Sequence, residues 1–496
     1  MHKNPFPPSG GSPLSSPRLK PGASRGHSVT DQHSVRASGC YGNDRIATPN
    51  LDRLAAEGVV FDNAYCQSPL CVPSRTSLIT GQYCRNHGVY DNQHILEANS
   101  DTLPRWLGEH GYRTCLIGKA HFNGEQYHGY QQRPYGDFWG QAHQPDPART
   151  SAKGESGLGD LVGESGPSGI PLALTQTEIC VAEATKWLLH HVDRTPGHPF
   201  LLSVHFDKPH FPWNPPARHF EPYAGRVALP DFDPDELARA VPFVQAAARG
   251  APHRYPGNGH QEADHARTLA AYYGCVSWVD DAVGRLLDVI RYLGLGDRTR
   301  IIYTTDHGDM LGEHGLWQKT VFFESSSRVP LMMVGPGIEA GRRIADPVGH
   351  IDLFPMLCGW AEIRAPSGLD GIDLAPTLHG NALERDAIFS ESVVLKHPEH
   401  AGCMIRTGPW KYTYYLDGTE ELYHLPSDPT ESRSLADNSD HAETRQRLSE
   451  RMLAFLDPAR QRSRYDRTPR MRREKHFYGW SNQFVSSDGD IFNGRP

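Results

Sequence analysis

The chain of 496 residues carries a formal net charge of −8, with 38% hydrophobic and 22% charged residues. That is the profile of a globular protein with a large core and, by length, room for roughly two to four domains. The acidic balance argues against a general affinity for nucleic acid, and no apolar run nears the ~18 residues of a membrane span, so neither is an expected partner.

Nine cysteines, an odd number without repeated short spacings, fit neither a disulfide framework nor a zinc site and read as small buried apolar residues. Residues 1–27, dense in Pro, Ser and Gly, read as a disordered segment without the apolar stretch of a secretory signal. A cytoplasmic location is therefore the default expectation. TPNLDRLAAEG predicts a short helix, capped by Thr48, opened by Pro49 and stopped by Gly58, with Leu51, Leu54 and Ala55 on one face. CVPSRTSLITG, residues 71–81, predicts a helix entered through Cys71 and ended by Gly81, with Arg75 near a start where free N–H groups attract anions.

A helix around Leu103–Leu107 then leads to the strand YRTCLIG, which delivers Lys119 and His121 at its end. Residues 140–175 read as a surface excursion. Helical TEICVAEATKWLLHHV, the strand PFLLSVHF and the turn-rich DKPHFPWNPP follow, then a long irregular insertion over 215–262. A long helix ends at Gly294 and the buried strand RIIYTT opens into DHGDMLGEHGLWQK. Helices alternating with short apolar strands predict an α/β fold, a large mostly parallel sheet sandwiched by helices, over residues 28–384. From 385 to 458 the texture changes to AIFSESVV, CMIRTG, WKYTYYL and a closing helix, which predicts a smaller antiparallel subdomain. The tail, residues 459–496, is basic and reads as a solvated arm or a bridge between subunits of a homo-oligomer.

Ligand sites in open α/β sheets lie beyond the carboxyl ends of the strands. Four predicted strand ends carry polar clusters: TDQH at 30–33, GKAH at 118–121, DKPH at 207–210 and TDHGD at 305–309. Asp31, Asp306 and His307 are oxygen and nitrogen donors suited to a divalent cation, while Arg75, Lys119 and Lys319 suit an anionic substrate. Each has a plainer reading alone: a turn cap for Asp306, surface lysines for Lys119 and Lys319, structural histidines for His121 and His210, a buried thiol for Cys71. Their joint occurrence decides between the two.

CVPSRTSLITG resembles the type I sulfatase signature, C-x-P-S-R followed by T-G at the end of the helix, within the alkaline phosphatase-like superfamily. Six fixed positions at average composition match by chance about once in 10 million to 100 million windows. GYRTCLIGKAHF, DKPHFPW, TTDHGDMLGEHGLWQKTVFFESSSRVPL and ELYHLPSDPTESRSLA are similar to further segments of that family, in family order, so the resemblance spans residues 30–457.

The resemblance implies that Cys71 is oxidised to formylglycine by a formylglycine-generating enzyme, for which Pro73 and Arg75 form part of the recognition motif. The hydrated aldehyde would attack the sulfur of a sulfated small molecule or glycan in line, displace the alcohol, and later expel sulfate. By family position Asp31, Asp306 and His307 are metal ligands, with Gln32 a further one and residue 71 supplying an oxygen. The metal is calcium in most relatives, and this donor set also suits magnesium or manganese. Lys119 and Lys319 match lysines that neutralise the sulfate oxygens, and Arg75 the residue that holds the diol. His121 matches the base that expels sulfate, and His210 or Lys319 stands near the leaving oxygen.

Two departures stand out. Thr30 replaces an aspartate that many relatives carry, and the first strand, PGASRGHSV, has Val29 as its one large aliphatic. Such a strand is expected to bury little and to position Asp31 poorly. Either the segment before Asp31 comes from a start-site or reading-frame error, or the first strand is damaged and metal binding weak. The rival functions are hydrolysis of a phosphodiester or phosphonate monoester within the same superfamily, and binding of a sulfated ligand without turnover. Substrate selection is expected to reside in the unpatterned stretches 123–175 and 213–262.

Overall fold

The computed structural model describes residues 24–459 apart from 93, 123–126, 137–160, 232, 234, 251–258 and 395–396, together with 483–485 and 491–493. Its main sheet is built from β1 (Ser24–Asp31), β2 (Val59–Phe61), β3 (Arg113–Gly118), β4 (Gln132–Tyr135), β5 (Phe200–Pro209), β6 (Thr299–Thr305), β7 (Leu331–Val334) and β8 (Arg342–Ile344). Their order across the sheet is β4-β3-β5-β1-β6-β7-β2-β8. Neighbours run parallel except where β7 lies antiparallel to both β6 and β2.

Alternating side chains leave both faces apolar, as a sheet covered on both sides requires. On one face Leu116, Leu201, Ile302 and Met333 pack with residues of α2 (Cys71–Thr80), α3 (Leu103–Glu109) and α6 (Leu353–Trp360). On the other, Cys115, Ile117, Leu202, Val204, Tyr303 and Met332 meet α1 (Pro49–Glu57), α4 (Gln176–Arg194) and α5 (Glu262–Tyr292). The expected helix-covered, mostly parallel sheet is the one observed. Eight of the nine cysteines are buried and Cys40 is partly exposed.

The first strand departs from expectation. It opens at Ser24, inside the segment predicted to lack order, and occupies the middle of the sheet. Residues 1–23, and the basic tail between 460 and 482, lie outside the described residues. Val29 of β1 is buried in the core, and the strand is paired along both edges. Arg25–Val29 pair with Leu201–His205 on one side, and Ser24–Thr30 pair with Thr299–Thr305 on the other. Two flanking strands pair with its backbone and set its register, which brings Asp31 to the carboxyl edge.

One loop expectation also changes. The 215–262 insertion contains short helices at Ala217–Phe220, Glu236–Arg239 and Pro242–Gly250. Phe243 of the last stacks on Phe322 with ring centroids 5.6 Å apart, which anchors the insertion in the core. The stretch from 140 to 175 lies outside the described residues as far as 160; its continuation runs mostly over the surface as expected, anchored by buried Leu161 and Val162, Leu161 in the cluster around Trp213.

After residue 385 the predicted small sheet forms as β9 (Ala387–Val394), β10 (His397–Thr407), β11 (Trp410–Tyr415) and β12 (Glu420–His424), antiparallel throughout and followed by α7 (Ala442–Phe455). Ile388, Met404 and Tyr415 pack on Val321, Phe322 and Phe323, and the Ser392 hydroxyl donates to the Thr320 carbonyl at 2.7 Å. The small sheet therefore braces the segment beside Lys319. Beneath that contact Lys411 lies 3.1 Å from Glu324 and 2.7 Å from Glu431, all three buried. One cation cannot neutralise two carboxylates; burial, after the opposing pull of Lys411, and the nearby Glu324 charge push the Glu431 carboxyl up to about 7.

Lys411→Met should leave the buried Glu431 without its cation, and Glu324 with the more distant Arg328, and lower stability by ~3–5 kcal/mol. With the cation gone Glu431 titrates still further above its unfolded value, so the loss should be full at pH 8 and shrink as pH falls through that raised pKa. Unfolding midpoints of wild type and variant across pH check this; a gap that widens on acidification would contradict it.

Candidate active site

The carboxyl edge of the main sheet brings the predicted residues together. Cys71 is the first residue of α2, entered from Leu70 in extended conformation and closed by Gly81 in the left-handed region. Every residue of this helix is buried, so its placement is fixed by packing on all sides. The Val72 amide donates to Asn92 Oδ1 at 3.0 Å, and the Ser74 hydroxyl to the Asp306 carbonyl at 2.5 Å, which ties the helix start to the end of β6.

Asp31, Cys71, Asp306 and His307 each offer one ligand atom, and those atoms all lie within 4.8 Å of one another. The His307 Nδ1 lies 2.9 Å from the Gly308 carbonyl, which can only accept, so Nδ1 carries the proton and Nε2 faces Cys71 Sγ at 3.1 Å. Fully buried Asp31 Oδ1 accepts no hydrogen bond. Two carboxylates, an imidazole nitrogen with its second nitrogen fixed, and an orphaned buried oxygen are the donors a divalent cation requires.

Arg75 runs between the two carboxylates. Its Nη2 donates to Asp31 Oδ2 at 2.8 Å, its Nε to Asp306 Oδ2 at 2.9 Å, and its Nη1 to the Lys119 carbonyl at 2.7 Å. Lys119 Nζ reaches the same Asp31 oxygen at 2.8 Å. Burial alone would raise the Asp31 carboxyl, yet Lys119, His210, Arg75 and Lys319 together hold it well below the usual range. Asp306 goes the other way: burial and the Asp31 charge raise it. Burial would also raise the Cys71 thiol, but Lys319 and His307 outweigh it and favour the thiolate. Residue 71 thus sits in a field that stabilises negative charge.

The remaining predicted residues stand around it. Gly118, at φ 99°, permits the turn after β3; a Cβ there would fall 1.9 Å from the His205 carbonyl oxygen. Lys119 and His121 follow this turn, and His121, at φ 50°, has no hydrogen-bond partner on Nδ1. His210 Nε2 lies 3.9 Å from Asp31 Oδ1, while its Nδ1 donates to the Phe211 carbonyl at 2.6 Å. Burial and the Lys119 and Lys319 charges lower its pKa to about 3. Lys319 Nζ donates to Gln32 Oε1 at 2.5 Å and stands 5.3 Å above the Phe211 ring.

Three participants carry no role in the sequence reading. His205, on β5, has Nδ1 3.0 Å from the Lys119 carbonyl and 3.2 Å from Arg75 Nη1. His350 lies 3.2 Å from the Ser74 hydroxyl and 3.3 Å from that of Thr304. Asp309 accepts from Gln32 Nε2 and is raised by burial to about 6. His205 is hidden inside a strand pattern and His350 far along the chain, but Asp309 belongs to the polar run TDHGD.

The family model described as Sulfatase matches residues 27–363, and that of the N-sulphoglucosamine sulphohydrolase C-terminal region matches 312–457. The chain is 32% identical over 423 residues to the choline-sulfatase of Rhizobium meliloti (strain 1021), covering 80% of this chain and 78% of that protein. Among solved structures it is similar to the phosphonate monoester hydrolase of Agrobacterium radiobacter, with TM-score 0.73, 24% identity and coverage of 96% and 100%. A protein solved in complex with its substrate D-glucosamine-2-N,6-O-disulfate aligns with TM-score 0.69 and 23% identity over 90% of this chain and 98% of its own. At these identities the two structures testify to the fold.

Proposed function

Because the chain belongs to the sulfatase family, a family of sulfuric ester hydrolases, we propose that it cleaves a sulfate ester to an alcohol and inorganic sulfate with formylglycine, made from Cys71, as nucleophile. The observation that carries this reading is the placement of residue 71 at a buried helix start, within 4.8 Å of three metal-type donor atoms and in the field of Lys319. A divalent cation, calcium by family habit, held by Asp31, Asp306 and His307 with the oxygen of residue 71, would favour the anionic form of that oxygen. Gln32, expected as a further ligand, instead commits its Oε1 to Lys319 and its Nε2 to Asp309.

The protein's own groups supply the rest. Lys119 and Lys319 neutralise the sulfate oxygens, and Arg75 keeps Asp31 and Asp306 together beneath the reacting oxygen. His121, whose side chain bonds to that of Cys71, takes the proton of the second hydroxyl of residue 71 when sulfate leaves. At the leaving oxygen two donors compete. With Nδ1 of His210 committed to the Phe211 carbonyl, its Nε2 donates only as imidazolium, a form that an anion between Lys119 and Lys319 favours. The rival donor is the Lys319 ammonium.

Peptide mass spectrometry of residue 71, from protein made with a formylglycine-generating enzyme, tests the proposal. Formylglycine at that position with turnover of an aryl sulfate supports it; turnover by protein carrying an unmodified thiol overturns the mechanism. The same cations suit a phosphate diester or phosphonate monoester, so measured preference for either over a sulfate monoester would replace the substrate class. His210→Ala should depress turnover of unactivated alkyl sulfates ~10²–10⁴-fold and of an activated aryl sulfate far less, since only a poor leaving group needs the proton. Equal losses on both would assign the leaving oxygen to Lys319.

A further inference from the structure

We propose that Asp309 is a positioning residue that sets the orientation of the Gln32 amide and, through it, the place of the Lys319 ammonium. This rests on the reading above, in which Lys319 meets the anionic group of the substrate.

Gln32 is held almost completely by its backbone. It sits at φ 66°, its amide donates to Asp306 Oδ1 at 3.0 Å, and its carbonyl accepts the Tyr272 hydroxyl at 2.5 Å. What remains free is the direction of its side-chain amide, one end of which donates and the other accepts. Asp309 decides that direction. Its Oδ2 accepts from Gln32 Nε2, which turns Oε1 to Lys319 Nζ. The carboxylate cannot swing away, because the Leu311 and Gln318 amides donate to its Oδ1 at 3.0 and 2.9 Å. The second of those bonds also fixes the backbone immediately before Lys319, and the Met310 amide closes the same loop on the Gln318 carbonyl at 2.7 Å.

Asp309 and Gln32 are fully buried, so a reversed amide would set an NH₂ group against the Lys319 ammonium, donor facing donor. Lys319 would withdraw from the site. The three groups therefore form one polarised chain: carboxylate, amide, ammonium.

The chain predicts a specific rescue. In Asp309→Asn the side-chain oxygen stays with the Leu311 and Gln318 amides, its NH₂ meets the Gln32 NH₂, and the two donors clash. In Asp309→Asn combined with Gln32→Glu, the Asn NH₂ donates to one glutamate oxygen and the other accepts Lys319. Volume and net charge match the wild type.

The measurements are Kd for inorganic sulfate by calorimetry and kcat/KM for an aryl sulfate, on wild type, both single variants and the double variant. Each single variant should weaken sulfate binding and raise KM ~10–100-fold, and the double should recover most of both. A wild-type sulfate Kd in Asp309→Asn, or a double variant no better than the worse single, would overturn the inference. If the wild type hydrolyses no sulfate ester, the proposed function fails, yet sulfate Kd still decides this point. If it binds no sulfate either, unfolding midpoints of the four proteins do so: recovery in the double supports the polarised chain, and additive losses refute it.

Discussion

Cys71→Ala is expected to lower turnover of an aryl sulfate by about a million-fold, the scale of removing a covalent nucleophile that acts as a unit with its partners. Residue 71 is fully buried, and its Sγ lies 3.1 Å from His307 Nε2. Because Asp31, Asp306, His307 and Arg75 remain, the variant should fold with an unfolding midpoint near that of the wild type. Cys71→Ser provides a sharper arm. Its hydroxyl can accept the sulfuryl group, but it lacks the second hydroxyl whose deprotonation expels sulfate by forming a carbonyl. The expected product is protein heavier by one SO₃ group after a single turnover. Full multiple-turnover activity in either variant would remove residue 71 from the mechanism.

Arg75→Met is expected to produce the largest loss of stability at the site, ~3–5 kcal/mol, with activity falling as well. The guanidinium is 2% exposed and bonds to carboxylates that are wholly buried. Without it, Asp31 and Asp306 face each other with Lys119 and any bound cation as compensation. A metal ion that binds the folded state should restore part of the loss, so the midpoint gap between variant and wild type should be wider in chelator than in excess calcium. The pH dependence has a defined sign. Asp31 is depressed in the folded wild type, so its contribution is present above its unfolded pKa of ~4 and is lost as pH falls through the folded value. Removing Arg75 raises that folded value, and the gap should be largest near neutrality and close in acid. Arg75→Lys should recover little, because one ammonium cannot span both oxygens as the planar fork does. An unchanged midpoint in chelator would show that the pair is compensated elsewhere.

Much of this was legible without coordinates. Helix α1 lies where Thr48, Pro49 and Gly58 mark it, with Leu51, Leu54 and Ala55 buried. The cap works differently in detail: the Thr48 hydroxyl donates to Asp52, so the first turn is closed by a side-chain pair. Lys119, His121 and His210 were readable because polar residues break abruptly from apolar strands, and Lys319 through the family resemblance. Asp309 was visible as a polar residue but not as a positioning group, since its partners Gln32 and Lys319 come from distant parts of the chain. The pairing of the first strand was hidden for a related reason. Side-chain hydrophobicity is a poor guide to a strand whose order comes from backbone bonds to β5 and β6.

The sequence by itself determined the chemistry available: a cysteine at an anion-attracting helix start, carboxylates and imidazoles at strand ends, and lysines among them. Those are local features, set by residue type and by periodicities of a few residues. Tertiary structure alone decided how they are wired. Asp31 and Asp306 lie on adjacent strands separated by hundreds of residues, and only the parallel pairing of β1 with β6 makes them neighbours for Arg75 to bridge. Pair energies between charges depend on separations of a few ångströms in a buried medium, and no spacing along the chain encodes those distances.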